Sequence, residues 1–284
     1  MRTWAAVWGT GIALATVTYA AAGKIVFTSD RDGNPEIYLM DADGGNALRL
    51  TNNKAYDDQP SLAPKGDLVV FVSNRDGNND LYLMDTEGKN IKRLTRTDYS
   101  EMDPRFTPDG EAVTFTTMAK GDKDVAMINL ATGEVETLVG DEGDQFMATL
   151  APDGSGALVY VEGTDDRVLK VKEAGVTRTL VAAGGIITMP AFTPDGGTII
   201  FASNRGGDYD ILAVPRAGGD GKEVITWKSL EGNAVCLPDG KALVVASDYD
   251  GDLEIYLCNW AGERLAQLTQ NEAADYEPSC NLKQ

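Results

Sequence analysis

Short apolar runs separated by turn residues recur along the whole chain. Residues 24–29 read Lys-Ile-Val-Phe-Thr-Ser, residues 68–73 Leu-Val-Val-Phe-Val-Ser and residues 80–85 Asp-Leu-Tyr-Leu-Met-Asp, each followed within a few positions by Gly, Asp or Asn. Runs of this length, rich in β-branched and aromatic residues and bounded by turn formers, predict strands rather than helices. Most positions within a run are apolar, so both faces of these strands should be covered.

The runs are organised by a repeat. An anchor residue ahead of a Pro-x-x-x-Pro-Asp-Gly-like turn falls at Gln59, Asp103, Met147, Met189, Asn233 and Glu277, at intervals of 44, 44, 42, 44 and 44 residues. In the unit beginning at Gln59 the predicted strands are 59–63, 68–73, 80–85 and 90–95, with turns at Pro64-Lys65-Gly66, Arg75-Asp76-Gly77 and Glu87-Gly88. Pro presets φ in such turns, Asp bonds the turn backbone and Gly takes the positive φ, so the aspartates of the Pro-Asp-Gly triplets are structural. Four short strands every 42 to 44 residues predict an all-β fold, a six-bladed β-propeller of four-stranded blades. The first unit opens at Lys24 with a second strand, and the chain finishes with an isolated inner strand at Glu277. The first blade is therefore expected to be closed by the C-terminal strand, which removes exposed edges.

The chain has 284 residues and a formal net charge of −19. Residues 1–22 read as a signal peptide: Arg2, then an uncharged apolar stretch, then Ala20-Ala21-Ala22 as a small-residue cleavage site. This leaves residues 23–284 as a single propeller domain, periplasmic or secreted, without a stable membrane insertion. The acidic balance argues against nucleic acid, which needs a Lys/Arg footprint. Of the three cysteines, Cys236 and Cys280 hold the same repeat position on inner strands of adjacent blades. One disulfide with a leftover thiol, in any of three pairings that include Cys258, and three buried thiols are both compatible with that spacing.

Candidate chemistry gathers on one rim, where the Arg-Asp-Gly turns and the loops entering the inner strands meet. Oxygen side chains alternate at Asp30, Asp32, Asn34 and Glu36, and again at Asp248, Asp250, Asp252 and Glu254. Such a set could hold calcium, the one cofactor the pattern allows, although Gly stands fourth in these turns where an EF-hand requires it sixth. The other candidate is the channel mouth, ringed by Gln59, Asp103, Met147, Met189, Asn233 and Glu277, with Arg105 two residues further in. Its oxygens could meet a cation, and Arg105 a carboxylate. The chain contains no histidine. That excludes Ser-His-Asp and Cys-His nucleophile systems, His-ligated metals and the commonest general base.

The stretches 29–40, Ser-Asp-Arg-Asp-Gly-Asn-Pro-Glu-Ile-Tyr-Leu-Met, and 73–84, Ser-Asn-Arg-Asp-Gly-Asn-Asn-Asp-Leu-Tyr-Leu-Met, resemble the repeat of TolB-like propellers. Residues 203–211 and 247–256 are looser copies, and the units spanning 114–138 and 159–180 match by spacing alone. The resemblance runs from Lys24 to Gln284, without the α/β domain that precedes the propeller in TolB itself. It implies a non-catalytic protein-binding or scaffold propeller of the bacterial envelope, with a protein or peptide partner at the acidic rim and channel mouth. Two other classes fit the residues: a cation-dependent carbohydrate-active or lactonase-like enzyme with a carboxylate site in the channel, and a self-associating cell-surface protein.

Overall fold

The computed structural model describes residues 23–281 except Ala183 and Asp220, so the expected signal segment lies outside the described residues. Six four-stranded antiparallel sheets are arranged as a ring. Blade 1 joins the C-terminal strand Asp275–Cys280 to Lys24–Ser29, Glu36–Asp41 and Leu48–Arg49. The inner strands of blades 2 to 6 are Asp57–Leu62, Glu101–Phe106, Gln145–Leu150, Ile187–Phe192 and Glu231–Cys236. Among the described residues no helix is long and apolar enough to cross a membrane.

The apolar runs are buried on both faces because alternate residues serve different blade interfaces. In blade 1, Ile25, Phe27, Tyr38 and Met40 pack against Val244, Ala246 and Ile255 of blade 6. Val26, Ile37 and Leu39 point the other way, against Leu62, Val69 and Phe71 of blade 2. The same division gives one apolar layer between each pair of neighbouring blades around the ring. A fully buried side chain of this kind contributes roughly 1.5–3 kcal/mol, so stability is spread over the layers instead of resting on one core.

The expected outer strand at 90–95 is shortened to Lys92–Arg93. Beyond Arg93 the ladder is replaced by a side chain, since the Leu81 N–H donates to Thr95 Oγ1 at 2.9 Å. Thr51 and Thr269 accept from Ile37 and Ile255 in the same way. That is the work of the Leu-Thr ending of the repeat. Blades 3 and 4, whose sequences lack the Arg-Asp-Gly motif, keep longer outer strands, Val135–Val139 and Val176–Val181.

All three cysteines are buried free thiols. Cys280 Sγ donates to the Cys236 carbonyl across the joint between blades 1 and 6, 3.1 Å away, and Cys258 Sγ to the Leu243 carbonyl. Burial pushes each thiol up to about 12, which keeps it protonated and poorly nucleophilic.

Neighbouring blades approach most closely at a turn glycine. A Cβ on Gly88, which has φ of 73°, would stand 2.3 Å from the Leu50 carbonyl oxygen of blade 1, whereas a Cβ on Gly133 of blade 3, at φ 75°, would meet nothing within 4 Å. Both substitutions by Ala should cost the left-handed strain of about 1 kcal/mol, and Gly88→Ala roughly 1–3 kcal/mol more from the clash. Urea unfolding of the two variants checks this, and equal losses would remove the close approach as a cause.

Candidate functional site: the channel mouth and the acidic rim

The mouth is built from the six anchors, and their backbone sets what their side chains do. Five of them adopt left-handed conformations, with φ of 53° at Gln59, 54° at Asp103 and Met147, 51° at Met189 and 52° at Glu277. At each anchor the pairing of the inner strand with its neighbour slips in a β-bulge. Pro60, Pro104, Pro190 and Pro278 follow four of the anchors; proline has no N–H to give a ladder, and a bulge accommodates it.

A bulge frees the anchor's own N–H from the ladder, and the neighbouring blade supplies its acceptor. The Gln59 N–H donates to Glu277 Oε2 at 3.0 Å, and the Asp103 N–H to Gln59 Oε1 at 2.8 Å. Thr116 relays the next step, donating to Asp103 Oδ2 at 2.8 Å and accepting the Met147 N–H at 3.2 Å. The Met189 N–H then reaches Met147 Sδ at 3.4 Å, and Asn233 Nδ2 donates to the Pro278 carbonyl. The predicted ring of side chains is therefore brought together at the mouth, but its acceptors run tangentially from blade to blade. This accounts for the residue types: Glu, Gln, Asp and Met all carry an acceptor.

Arg105 lies across the channel. Its Nη1 donates to the Pro104 carbonyl at 3.0 Å, and Nη2 reaches Met189 Sδ, two blades away, at 3.8 Å. Beneath it the channel narrows to a cavity of about 60 Å³ bordered by Ser61, Thr149, Ala191, Val235 and Ser279. Burial lowers the pKa of Arg105, opposed by Asp103 and Glu277. Burial likewise raises Asp103, against its Thr116 hydrogen bond and Arg105, and raises Glu277 well above the usual carboxylate range with added repulsion from Asp58. Glu277 also shares a hydrogen bond with Asp58, which two carboxyl groups can do only when one is protonated. Burial thus pushes both carboxyls toward their neutral forms.

Between blades 5, 6 and 1 the mouth widens into a groove of about 220 Å³, lined by Met189, Tyr209, Leu230, Asn233, Leu253, Tyr276 and Glu277. Met189 and Tyr276 come from the inner strands, and Tyr209, Leu230 and Leu253 from the loops and turns between strands. Leu230 is 42% exposed there. Met189, Asn233 and Glu277 belong to the ring expected from the sequence, whereas Tyr209, Leu230, Leu253 and Tyr276 do not, and the one available signal for Leu230 was an apolar residue in a loop otherwise made of polar ones.

The acidic turns are closed circuits in blades 1 and 2. Arg75 Nη2 lies 2.9 and 2.8 Å from the two oxygens of Asp57, Ser73 Oγ donates to Asp57 at 2.5 Å, and the guanidinium stacks on Tyr82 at 4.7 Å. Arg93 binds Asp80 at 2.7 Å and Asp76 at 3.3 Å, while Tyr82 Oη donates to Asp76. Blade 1 repeats the pattern: Arg31 pairs with Asp275 at 2.6 Å, Arg49 with Glu36 at 2.9 Å and Asp32 at 3.1 Å, and Tyr38 Oη donates to Asp32. Asn34 Nδ2 donates to Glu36 and to the Asn53 and Ala55 carbonyls, and Asp30 takes a longer hydrogen bond from Tyr276. Asp32 and Glu36 are thus tied to Arg49, Asn34 to Glu36 and the loop carbonyls, and Asp30 to Tyr276. Among the described residues no three of His, Cys, Asp and Glu converge as a metal-binding group.

Blade 6 keeps the acids and loses both arginines. Tyr249 stands where blades 1 and 2 have Arg31 and Arg75, and Gln267 faces Tyr256 where Arg49 and Arg93 face Tyr38 and Tyr82. Arg264 instead stacks on Tyr249 at 3.4 Å and on Trp227 at 5.6 Å. Asp248 accepts the Leu230 N–H and Asp250 accepts Gln267 Nε2, each at 2.7 Å. Burial pushes Glu231 and Glu254 up to about 7, opposed at Glu231 by Ser229 and reinforced by Asp210 and Asp248.

A model of the TolB beta propeller domain matches residues 10–174 and 79–236 of this chain. The chain belongs to the TolB β-propeller domain family. The Tol-Pal system protein TolB of Geobacter sulfurreducens is 52% identical over 44 residues, 16% of this chain and 10% of that protein. The matched segment thus spans about a tenth of that curated relative's length. The crystal structure of TolB from Acinetobacter baumannii superposes with a TM-score of 0.81 at 19% identity, covering 91% of this chain and 66% of that one. An oligogalacturonate lyase in complex with manganese superposes at 0.61 and 17% identity over 85% of this chain and 72% of the lyase, a likeness of fold alone.

Two predictions follow the geometry of the mouth and the rim. Gln59→Leu removes the acceptor of the buried Asp103 N–H and should cost about 1–3 kcal/mol in chemical unfolding, whereas Gln59→Glu, which keeps an oxygen there, should cost less. For Glu231 the folded-state pKa of about 7 lies above the ordinary 4.5. Unfolding therefore releases its proton between these values, and stability falls as pH rises through that window and is flat above it. Glu231→Gln should change little near pH 4 and stabilise by about 2 kcal/mol near pH 8, a figure reduced from the full shift for solvent screening. Thermal melts at the two pH values decide it, and an equal gain at both would exclude titration as the cause.

Proposed function

We propose that this chain is an exported, non-catalytic propeller that binds a protein or peptide partner at its channel mouth, in the bacterial envelope and in a Tol-Pal-type setting. The observation that carries the reading is the groove beside the mouth, where an exposed Leu230, Leu253 and two tyrosines stand next to Glu277. Concave apolar sites with a few polar groups at one edge are where ligands dock on rigid scaffolds. Five non-glycine anchors in left-handed conformations support it, because backbone strain of order 1–3 kcal/mol per residue gathers at working sites. The similarity to proteins named for the Tol-Pal system supports the setting.

The chemistry specifies the fit. An apolar side chain of the partner packs between Leu230, Leu253, Tyr209 and Tyr276, and an N–H group meets Glu277 at the edge of the groove. Arg105 blocks the channel, so the partner rests on the mouth instead of threading it, and a partner carboxylate reaching inward would meet this guanidinium. Absence of histidine and the tangential use of the mouth's acceptors favour a binder over a hydrolase or lyase.

Affinity capture from envelope extract, comparing the native chain with Leu230→Asp and with Val176→Asp, tests the reading. Val176 is 64% exposed on an outer strand away from the mouth. The Leu230 variant should lose a specific partner on the order of tenfold, the size expected for desolvating a charge at an interface centre, while the Val176 variant retains it. Equal retention by both variants would overturn the groove as the docking site. A basic partner should also be released by raised salt.

A further inference from the structure

Blade 6 differs from blades 1 and 2 at two positions that act on one point. In blade 1 the loop leading to the next inner strand is pinned by Asn53: its N–H donates to Glu36 Oε1 at 2.9 Å, its Nδ2 to Asp57, and its Oδ1 accepts the Ala55 N–H. The loop after blade 6 is built in the same way. The Asn271 N–H donates to Glu254 Oε1 at 2.5 Å, its Nδ2 to Asp275 at 2.8 Å, and its Oδ1 accepts the Ala273 N–H at 2.9 Å.

Into this loop blade 1 sends an amide. Asn34 Nδ2 donates to the Asn53 carbonyl at 3.3 Å, the Ala55 carbonyl at 2.7 Å and Glu36 Oε1 at 3.2 Å. Blade 2 does the same with Asn78, which donates to the Thr97 and Tyr99 carbonyls. In blade 6 the residue at this position is Asp252, a carboxylate with nothing to donate when ionised. Its Oδ2 is buried without a hydrogen-bond partner. The Asn271 and Ala273 carbonyls, which take the places of Asn53 and Ala55, are acceptors as well.

The second change removes the counter-charge. Arg49 neutralises Glu36 in blade 1 and Arg93 neutralises Asp80 in blade 2. The corresponding Gln267 carries no charge and turns to Asp250. Glu254 is only 1% exposed, and its Oε2 has no partner. Glu36 also leaves one oxygen unpaired, but with a guanidinium 2.9 Å from the other. Loss of an amide donor at Asp252 and of a guanidinium at Gln267 leaves Asp252 Oδ2 and Glu254 Oε2 buried without the donors that blades 1 and 2 supply at these positions. Buried acceptors so arranged need a proton or a cation.

We propose that blade 6 carries a site for a hard divalent cation of calcium size, held by the carboxylates of Asp252 and Glu254 and the backbone carbonyls of Asn271 and Ala273. Calcium suits it because it takes oxygen ligands from carboxylates and carbonyls in loose geometry and fills the remaining positions with water. Magnesium dehydrates reluctantly and demands a near-ideal octahedron, so it should bind more weakly. The site is separate from the channel mouth and involves two carboxylates, in keeping with the absence of a three-carboxylate group among the described residues.

Calorimetric titration of the purified protein with calcium chloride tests it, with Asp252→Asn and Gln267→Arg as variants. The first restores the amide of blades 1 and 2 and the second their guanidinium, so each should weaken calcium binding on the order of tenfold or more and abolish the calcium-dependent rise in Tm. Asp252→Asn should also melt no lower than the native chain in chelator, since its amide regains the two carbonyls. Absence of binding by the native chain up to about 10 mM, beyond the weak end of extracellular calcium modules, overturns the proposal. So does native-like affinity in both variants, which would put the ion elsewhere, for instance at the mouth. Should Asp252→Asn fail to fold, Gln267→Arg decides alone.

Discussion

A ring of sheets has no stable form until its last strand meets its first, and here that meeting is an antiparallel seam without a covalent link. Ile25 pairs with Cys280, Val26 with Ser279, Thr28 with Tyr276 and Ser29 with Asp275. The seam fixes more than the circumference. It brings Arg31 to Asp275 across 244 residues of chain, carries Glu277 to the Gln59 N–H, and seats Cys280 against Cys236. Loop closure over such a length costs only slightly more than over a short one, so packing of blade 1 against blades 6 and 2 readily offsets it. Every other part of the mouth is referred to that joint, because the tangential hydrogen bonds need each blade at its proper angle to the next.

The mouth shows how one constraint can serve both stability and the proposed recognition. At Gln59, Asp103 and Met189 the bulge turns the anchor N–H out of its own sheet and the preceding anchor answers with an acceptor, while Thr116 does so for Met147. Side chains engaged in this way are held in place, and a rigid rim loses little entropy when a partner settles on it. The groove beside Leu230 lies where the chain of acceptors is thinnest, at Met189 and Asn233 between blades 5 and 6. On the proposed reading, locking and docking divide the rim between them.

Architecture was legible in the sequence because its signals are local. Apolar runs with both faces covered, turn residues at fixed offsets and a constant period need no knowledge of distant contacts, and the lone final strand points to the shared first blade. The roles of the anchors were not legible, since they depend on a left-handed backbone that Gln, Asp, Met and Glu rarely adopt and that no residue type announces. The alternating acids read as a ligand set for a related reason. Their partners lie 13 residues on, from Glu36 to Arg49 and from Asp80 to Arg93, or at the far end of the chain, from Arg31 to Asp275. A pattern of oxygens looks the same whether a metal or a guanidinium completes it.

Once the circuit is known, unequal copies become informative. A repeat protein sets up its own controls: blades 1 and 2 show what the Arg, Asn and acid positions do when all are filled, so blade 6 can be read by subtraction. Keeping Glu231 and Glu254 while losing both arginines and one asparagine leaves these buried carboxyls without the guanidinium partners of blades 1 and 2. Self-repulsion of this kind opposes folding, and the nearby Arg264 does not relieve it, being stacked on Tyr249 and Trp227 instead. The proposed cation would stand close to the proposed docking groove, because blade 6 also supplies Leu230, Asn233 and Leu253 to that groove. The blade that lacks both arginines is thus one of those on which the proposed partner would rest.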